Sequence, residues 1–319
     1  MSINSIDTAV KYSAELDKAF SQKSVVTLFT DNKLKAQFIG AKTVKIRNLD
    51  FVGLVDYDRD NGFSRAKVTI ASEPFTLAMD RARSISIDRE DMDESGVAEL
   101  AGEVLGEYVR TQVVPESDAY CMSKLAGIAA GKGHFVTSNL TTPFKTFTTL
   151  VNNARQAVGY DEPLVCFVDG DMYAALQNDT TFNKQVTVSD FKKGEISTRI
   201  KIVDDVPIIP VNSARMKSLY NFVRTDSTTN QGGFSADASA VDIRMLIAPK
   251  NGVDLVKKTE VLRIFTPEQN LDADAYKFNY RIYYDIFVMK RAIDAIWGCA
   301  SGEIPAAAAV NDEGEGTEE

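Results

Sequence analysis

Asp169-Gly170-Asp171 sets two carboxylates two residues apart, a spacing that could serve a divalent cation. Such a site needs a third ligand in register, and the neighbouring sequence offers none. The same residues read as a turn in which Asp169 caps a short helix over Met172 to Leu176. Gly127-Ile128-Ala129-Ala130-Gly131-Lys132-Gly133 approaches a phosphate-binding loop. It is one residue short, lacks the Ser or Thr that would hold magnesium, and follows a helix where that motif follows a strand. A helix C-terminus closed by glycine is the expectation. Ser189 and Lys192 have the Ser-x-x-Lys spacing of some acyl-enzymes without any companion motif. His134 is the only histidine, so a His-dependent triad or a multi-histidine metal site would rest on one residue, which reads as an ordinary surface histidine in a polar loop. Cys121, Cys166 and Cys299 are odd in number and widely spaced, which suits buried, reduced side chains better than a disulfide framework or a zinc cluster. No acid, base and nucleophile assemble; the expectation is a protein that is not an enzyme and carries no catalytic residue, cofactor or metal.

Composition narrows the classes further. The 319 residues are 44% hydrophobic and 25% charged, an ordinary globular balance that can bury one large or two modest cores. A net charge of -9 argues against holding nucleic acid by neutralising phosphates. The first 20 residues mix Ser, Asp, Lys and Glu and do not read as a secretory signal, and no apolar run nears the ~20 residues that span a bilayer. The expectation is a protein made in a cytoplasm, with no membrane partner.

The elements that would position these residues follow a definite order. A weak helical period over residues 2–23 leads to an apolar patch at Val25 to Phe29, an arm in want of a partner. From Thr43 the pattern alternates, and Asn61-Gly62 inside the polar stretch from Asp56 to Phe63 marks a reversal between antiparallel strands. With a return limb from Lys67 to Leu77, the hairpin reaches about 50 Å at ~3.3 Å per residue, far more than a two-stranded ribbon can stabilise alone in water. It must lie on something. After a short alternating piece from Ser84 to Asp88, Asp93 to Gly131 carries a 3.6-residue apolar stripe, with a kink or break expected at Pro115, and would span ~55 Å. A second amphipathic helix over Phe147 to Val158 follows. Strands are expected at Leu164 to Val168, Val206 to Val211 and Val241 to Ala248, an exposed loop at Asp226 to Asp237, and a long aromatic strand at Tyr280 to Met289. The acidic, Gly-rich end reads as disordered.

This order resembles that of the tailed-bacteriophage major capsid proteins. The likeness is carried by Ala41-Lys42-Thr43-Val44-Lys45-Ile46 with Gly53-Leu54-Val55-Asp56-Tyr57-Asp58-Arg59, by Phe75-Thr76-Leu77-Ala78-Met79-Asp80-Arg81, and by Arg110 through Tyr120. It covers about residues 25–298. The resemblance implies an α+β, Hong Kong 97-like capsid fold. Its parts would be an N-terminal arm (1–39), an extended loop (40–79), a peripheral domain with a spine helix (80–145), an axial α/β domain (146–254), peripheral return strands (255–298) and an acidic tail (299–319). It further implies a shell subunit joining copies of itself as pentamers and hexamers in an icosahedral lattice around double-stranded DNA, enclosed without sequence-specific binding. The setting would be a virion capsid assembled in a bacterial host cytoplasm, with a portal and, as an optional addition, cement proteins. The short stretch before residue 40 leads us to expect a separate scaffolding protein. The assembly contact is expected at the loop tip: Tyr57, Asp58, Arg59, Asp60, Asn61, Gly62, Phe63 and Arg65. An encapsulin-like nanocompartment shell is the alternative within the fold. A soluble metal-dependent hydrolase built on Asp169 and Asp171, or a tail or connector subunit, are alternatives outside it.

Overall fold

The computed structural model describes residues 24–30, 37–39, 43–50, 53, 57, 59, 69–90, 105–137, 140–193, 196–223 and 232–304. The helical period expected over residues 2–23, the tip residues Asp58, Asp60, Asn61, Gly62, Phe63 and Arg65, and residues 305–319 of the expected tail lie outside them.

Strands β1 (Gln37–Ile39), β2 (Thr43–Asp50) and β3 (Thr69–Thr76) form an antiparallel sheet, with Thr43 opposite Thr76 and Asp50 opposite Thr69. The expected hairpin is therefore present, and β1 adds a third strand that the sequence did not announce. After two residues the chain enters β4 (Met79–Asp88), whose alternate residues face inward over its whole length. The alternating piece read at Ser84 is the second half of this strand. β4 borders a second antiparallel sheet in the order β13 (Val253–Phe265), β14 (Ala275–Val288), β4.

The spine helix continues through Pro115. A π-helical turn at Val109–Val113 precedes the α-helical stretch Val114–Gly131, in which Pro115 occupies the first turn. The Val114 N–H reaches back to the Val109 carbonyl, a five-residue closure. The wider turn accommodates the proline ring and its missing donor where a break was expected. At the other end Gly133 adopts φ +73°, and the amides of Gly133 and His134 bond to the carbonyls of Ala130 and Ala129 at 2.9 and 3.0 Å. This is a Schellman closure, so the glycines of the supposed phosphate loop end a helix.

A seven-stranded mixed sheet fills the centre, in the order β5 (Phe135–Thr137), β15 (Trp297–Ala300), β12 (Ile243–Pro249), β6 (Leu164–Val168), β9 (Val206–Pro210), β8 (Ile196–Val203), β7 (Thr187–Lys193). Alternation sorts its side chains between two cores. Val165, Phe167, Leu246 and Ala248 face the spine helix, whereas Cys166, Val168, Met245 and Ile247 face the helix Pro143–Val158. Burial on both faces explains why β6 reads as an unbroken apolar run. A two-stranded piece, β10 (Tyr220–Phe222) with β11 (Phe234–Ala236), places a strand at the end of the stretch expected to be loop.

Three expectations need correction. The patch at Val25 to Phe29 packs within its own chain: Val26 and Phe29 are fully buried, and the Phe29 ring lies 5.7 Å from Phe167. His134 is not an ordinary surface residue; it stacks on Trp297 at 4.2 Å with its Nδ1 3.2 Å from the Ile296 carbonyl. Residues 299–304, assigned to the tail, belong to the fold, with Cys299 and Ala300 in the central sheet and Ile304 buried. The three cysteines are buried and form no disulfide, as expected.

Asp254, opposite Phe287 in the β13–β14 ladder, is 5% exposed, and no hydrogen bond reaches its carboxylate among the described residues. Burial pushes its pKa up to about 7. The unfolded chain releases this proton near pH ~3.9, so between ~4 and ~7 the folded state binds more protons and stability falls as pH rises. Asp254→Asn should therefore raise the melting temperature at pH 8 by several degrees and by much less at pH 4.5, read by thermal denaturation at the two pH values.

Candidate functional site

The β2–β3 hairpin joins the rest of the chain through Leu77 and Ala78, and a cluster of polar contacts gathers at that junction. Asp285 lies in the middle of the aromatic run Tyr283-Tyr284-Asp285-Ile286-Phe287 of β14 and is fully buried. One oxygen accepts from Tyr120 Oη at 3.0 Å and from Lys124 Nζ at 2.7 Å, both on the spine helix. The other accepts from the Ala78 backbone N–H at 3.1 Å, in the two-residue link between β3 and β4. One carboxylate thus ties three elements together where the hairpin leaves the body.

Apolar contacts close around it. Phe75 meets Phe287 edge-on at 5.2 Å, and Leu77, Val256 and Tyr283 form a small core of their own. Lys124 Nζ sits 5.1 Å from the Phe75 ring centroid, within cation–π range, and Tyr283 Oη donates to the Leu77 carbonyl at 3.0 Å. Just beyond, Arg81 makes a two-pronged contact with Glu116 at 2.6 and 3.1 Å, and also donates to the carbonyls of Val223 and Gly233. Residues 75 to 81 are thereby fixed on both faces. A second buried carboxylate, Asp118, does the same for the arm. It accepts from Ser24 Oγ at 2.6 Å, from the amides of Val25 and Val26, and from Arg215 at 3.1 Å, while burial pushes its pKa up.

At the far end of the hairpin Tyr57 is 61% exposed and Arg59 is also exposed. The structure thus describes two of the eight residues expected at the tip. The arrangement is mechanical in kind, a β2–β3 ribbon with a clamped root.

The residues that could have done chemistry go elsewhere. Asp169 accepts from the Met172 amide at 2.8 Å, as a helix cap should, and its second oxygen takes Arg244 Nη1 at 2.6 Å; the same nitrogen also bonds Asp171. The carboxylate pair is occupied by an arginine. Ser189 and Lys192 both lie on β7, with no companion motif beside them in the sequence. Among the described residues no group of three or more His, Cys, Asp or Glu is placed to hold a metal, and no helix is long and apolar enough to cross a membrane.

No protein-family model matches the sequence, and no curated protein is detectably similar to it. Solved structures do match in shape. The head structure of the Helicobacter pylori bacteriophage KHP40 aligns with a TM-score of 0.55 over 88% of this chain and 91% of that one, at 12% identity. The capsid of the cyanophage P-SCSP1u gives 0.54 over 86% and 87%, at 14% identity. The chain has the Hong Kong 97-type fold. A virus-like particle from Pyrococcus furiosus shares this fold, with a TM-score of 0.53 over 91% of this chain and 98% of that one, at 12% identity. With the Hong Kong 97-type fold the α+β reading stands.

Sequence reasoning found the loop and missed its clamp. A signal was there: an acid inside a continuous aromatic strand is costly to bury and implies a partner. Asp285→Ala would leave Lys124 facing a core without its counter-charge and the Ala78 amide unpaired. Breaking such a pair costs about 3–5 kcal/mol, and urea denaturation of the variant should show a loss of that order.

Proposed function

We propose that the chain is the major shell subunit of a tailed bacteriophage, with a structural and not a catalytic role. The observation that carries this reading is the hairpin with a clamped root, on a chain that shares the fold of phage capsid and head structures. Residues 80–145 with 255–298 would act as the peripheral domain, 146–254 as the axial domain gathering at five-fold and six-fold centres, and 40–79 as the loop reaching a neighbour.

In the assembled lattice the tip, Tyr57 to Phe63 with Arg65, docks on a neighbouring subunit's peripheral domain. A ribbon held at one end has little to hold it at the other until a second copy supplies a surface. Many moderate contacts repeated around closed symmetry then give a shell whose stability no single interface must supply. A separate scaffolding protein, a portal and possible cement proteins complete the assembly in the host cytoplasm. The acidic chain encloses DNA as a wall; the genome keeps its counterions and is not bound.

The likeness to the Pyrococcus furiosus particle favours one second reading, a cellular compartment built on the same fold. The two differ in contents. Particles purified from infected or co-expressing bacteria should hold double-stranded DNA or scaffold on the phage reading, and a protein cargo on the other.

Deleting residues 57–63 should leave a folded, soluble subunit with an unchanged melting temperature that fails to close shells by negative-stain electron microscopy. Normal shells from the deletion would remove the tip from the assembly contact.

A further inference from the structure

The β13–β14 hairpin ends in the turn 266–274, and at its apex Leu271 is 99% exposed. Single exposed leucines are common on protein surfaces, so exposure alone says little. This one is presented by a braced turn. The amides of Gln269 and Asn270 bond to the Thr266 carbonyl, Asn270 Nδ2 donates to the Ala275 carbonyl at 2.9 Å, and Asn270 Oδ1 accepts from the Asp272 amide. Lys277 holds Asp272 at 2.7 Å, and the Arg89 amide bonds the Asp274 carbonyl. The apex is ordered before any partner arrives, which lowers the entropic cost of docking. It is also acidic, with Glu268, Asp272 and Asp274 all exposed.

The outer face of the same sheet is complementary. A shallow groove of about 480 Å³ runs across it, lined among others by Ala82, Val261, Arg263, Asn279 and Arg281. Val261 gives it an apolar patch at 37% exposure. Arg263 makes no ion pair or hydrogen bond among the described residues, and Asn279 Oδ1 is buried without a donor. The groove therefore offers an apolar seat, a positive charge and an acceptor awaiting an N–H. The turn cannot fill its own groove. Val261 and Arg281 pair four rungs below the end of the ladder at Phe265 and Lys277, about 13 Å at ~3.3 Å per residue, and folding back would break the ladder.

We propose that Leu271, on its acidic turn, docks in the basic groove of the β13–β14–β4 sheet of a second copy of this chain. The contact is separate from the loop-tip contact and rests on the shell reading only in requiring self-association. A turn on one copy in a groove on the next is heterologous, the kind of contact that propagates into rings or sheets.

The test uses assembled particles of the full chain. In the double variant Leu271→Cys with Val261→Cys, mild oxidation should give a ladder of cross-linked multimers on a non-reducing gel, and either single variant only monomer; the native cysteines are buried and do not compete. Leu271→Asp should cut particle yield at least tenfold by sedimentation with no change in subunit melting temperature. Arg263→Glu should weaken assembly, and adding Glu268→Lys should restore it. Particles that form normally from Leu271→Asp, with neither ladder nor charge-swap rescue, overturn this contact and leave the shell reading intact. A wild-type chain that sediments only as monomer, with or without a scaffolding partner, overturns both.

Discussion

A carboxylate buried among aromatic rings is tolerable only when its charge is met and its oxygens are occupied. Asp285 satisfies that condition by reaching to Lys124 and Tyr120 on the spine helix and to the Ala78 amide at the base of the extended loop. The partners come from two other parts of the chain, so meeting one electrostatic demand fixes the mutual placement of all three. Without this contact β14 would still pair with β13 and β4, since those ladders are backbone work. What would be lost is the charged tie between the spine helix and the link from β3 to β4, leaving that link to the Tyr283 hydrogen bond and the apolar contacts of Phe75 and Leu77.

Asp118 repeats the device six residues before Lys124 on the same helix, on the arm side. Two anchoring points on one rigid rod are more useful than two on separate loops, because the rod transmits position. The helix is thus more than a core element. It is the reference against which both extensions of the chain are set, while the central sheet, packed on two faces, holds the helix itself.

Much of this architecture was legible because burial imposes periods. The hairpin and the second helix show plain alternation or a plain 3.6-residue stripe. Other elements hid for physical reasons. β13 carries Lys257, Lys258 and Glu260 in its middle, and a register shift between Lys257 and Thr259 breaks the alternation that would have announced it. β7 and β8 lie toward the edge of the seven-stranded sheet, where polar residues are tolerated and strand and loop look alike. Phe29 reads as an unpartnered patch because its partner, Phe167, is over a hundred residues away, a distance that no local pattern encodes. The candidate site was visible as a kind of element and not as a set of contacts. Alternation around Asn61-Gly62 reveals a ribbon, yet nothing near Ala78 hints that its amide meets a carboxylate two hundred residues on.

The π turn at Val109–Val113 gives the spine helix a property that a uniform rod lacks. A turn closed over five residues holds more chain than its neighbours, so the side-chain stripes before and after it are out of phase. Upstream, Leu105 is buried; within the turn, Val109 and Val113 are; downstream, the buried set broadens to include Ser117, Asp118, Cys121, Met122 and Leu125. Both stripes nevertheless enter one core, so the extra residue of the π turn resets the phase of a single continuous element, much as a crankshaft joins two throws on a single axle.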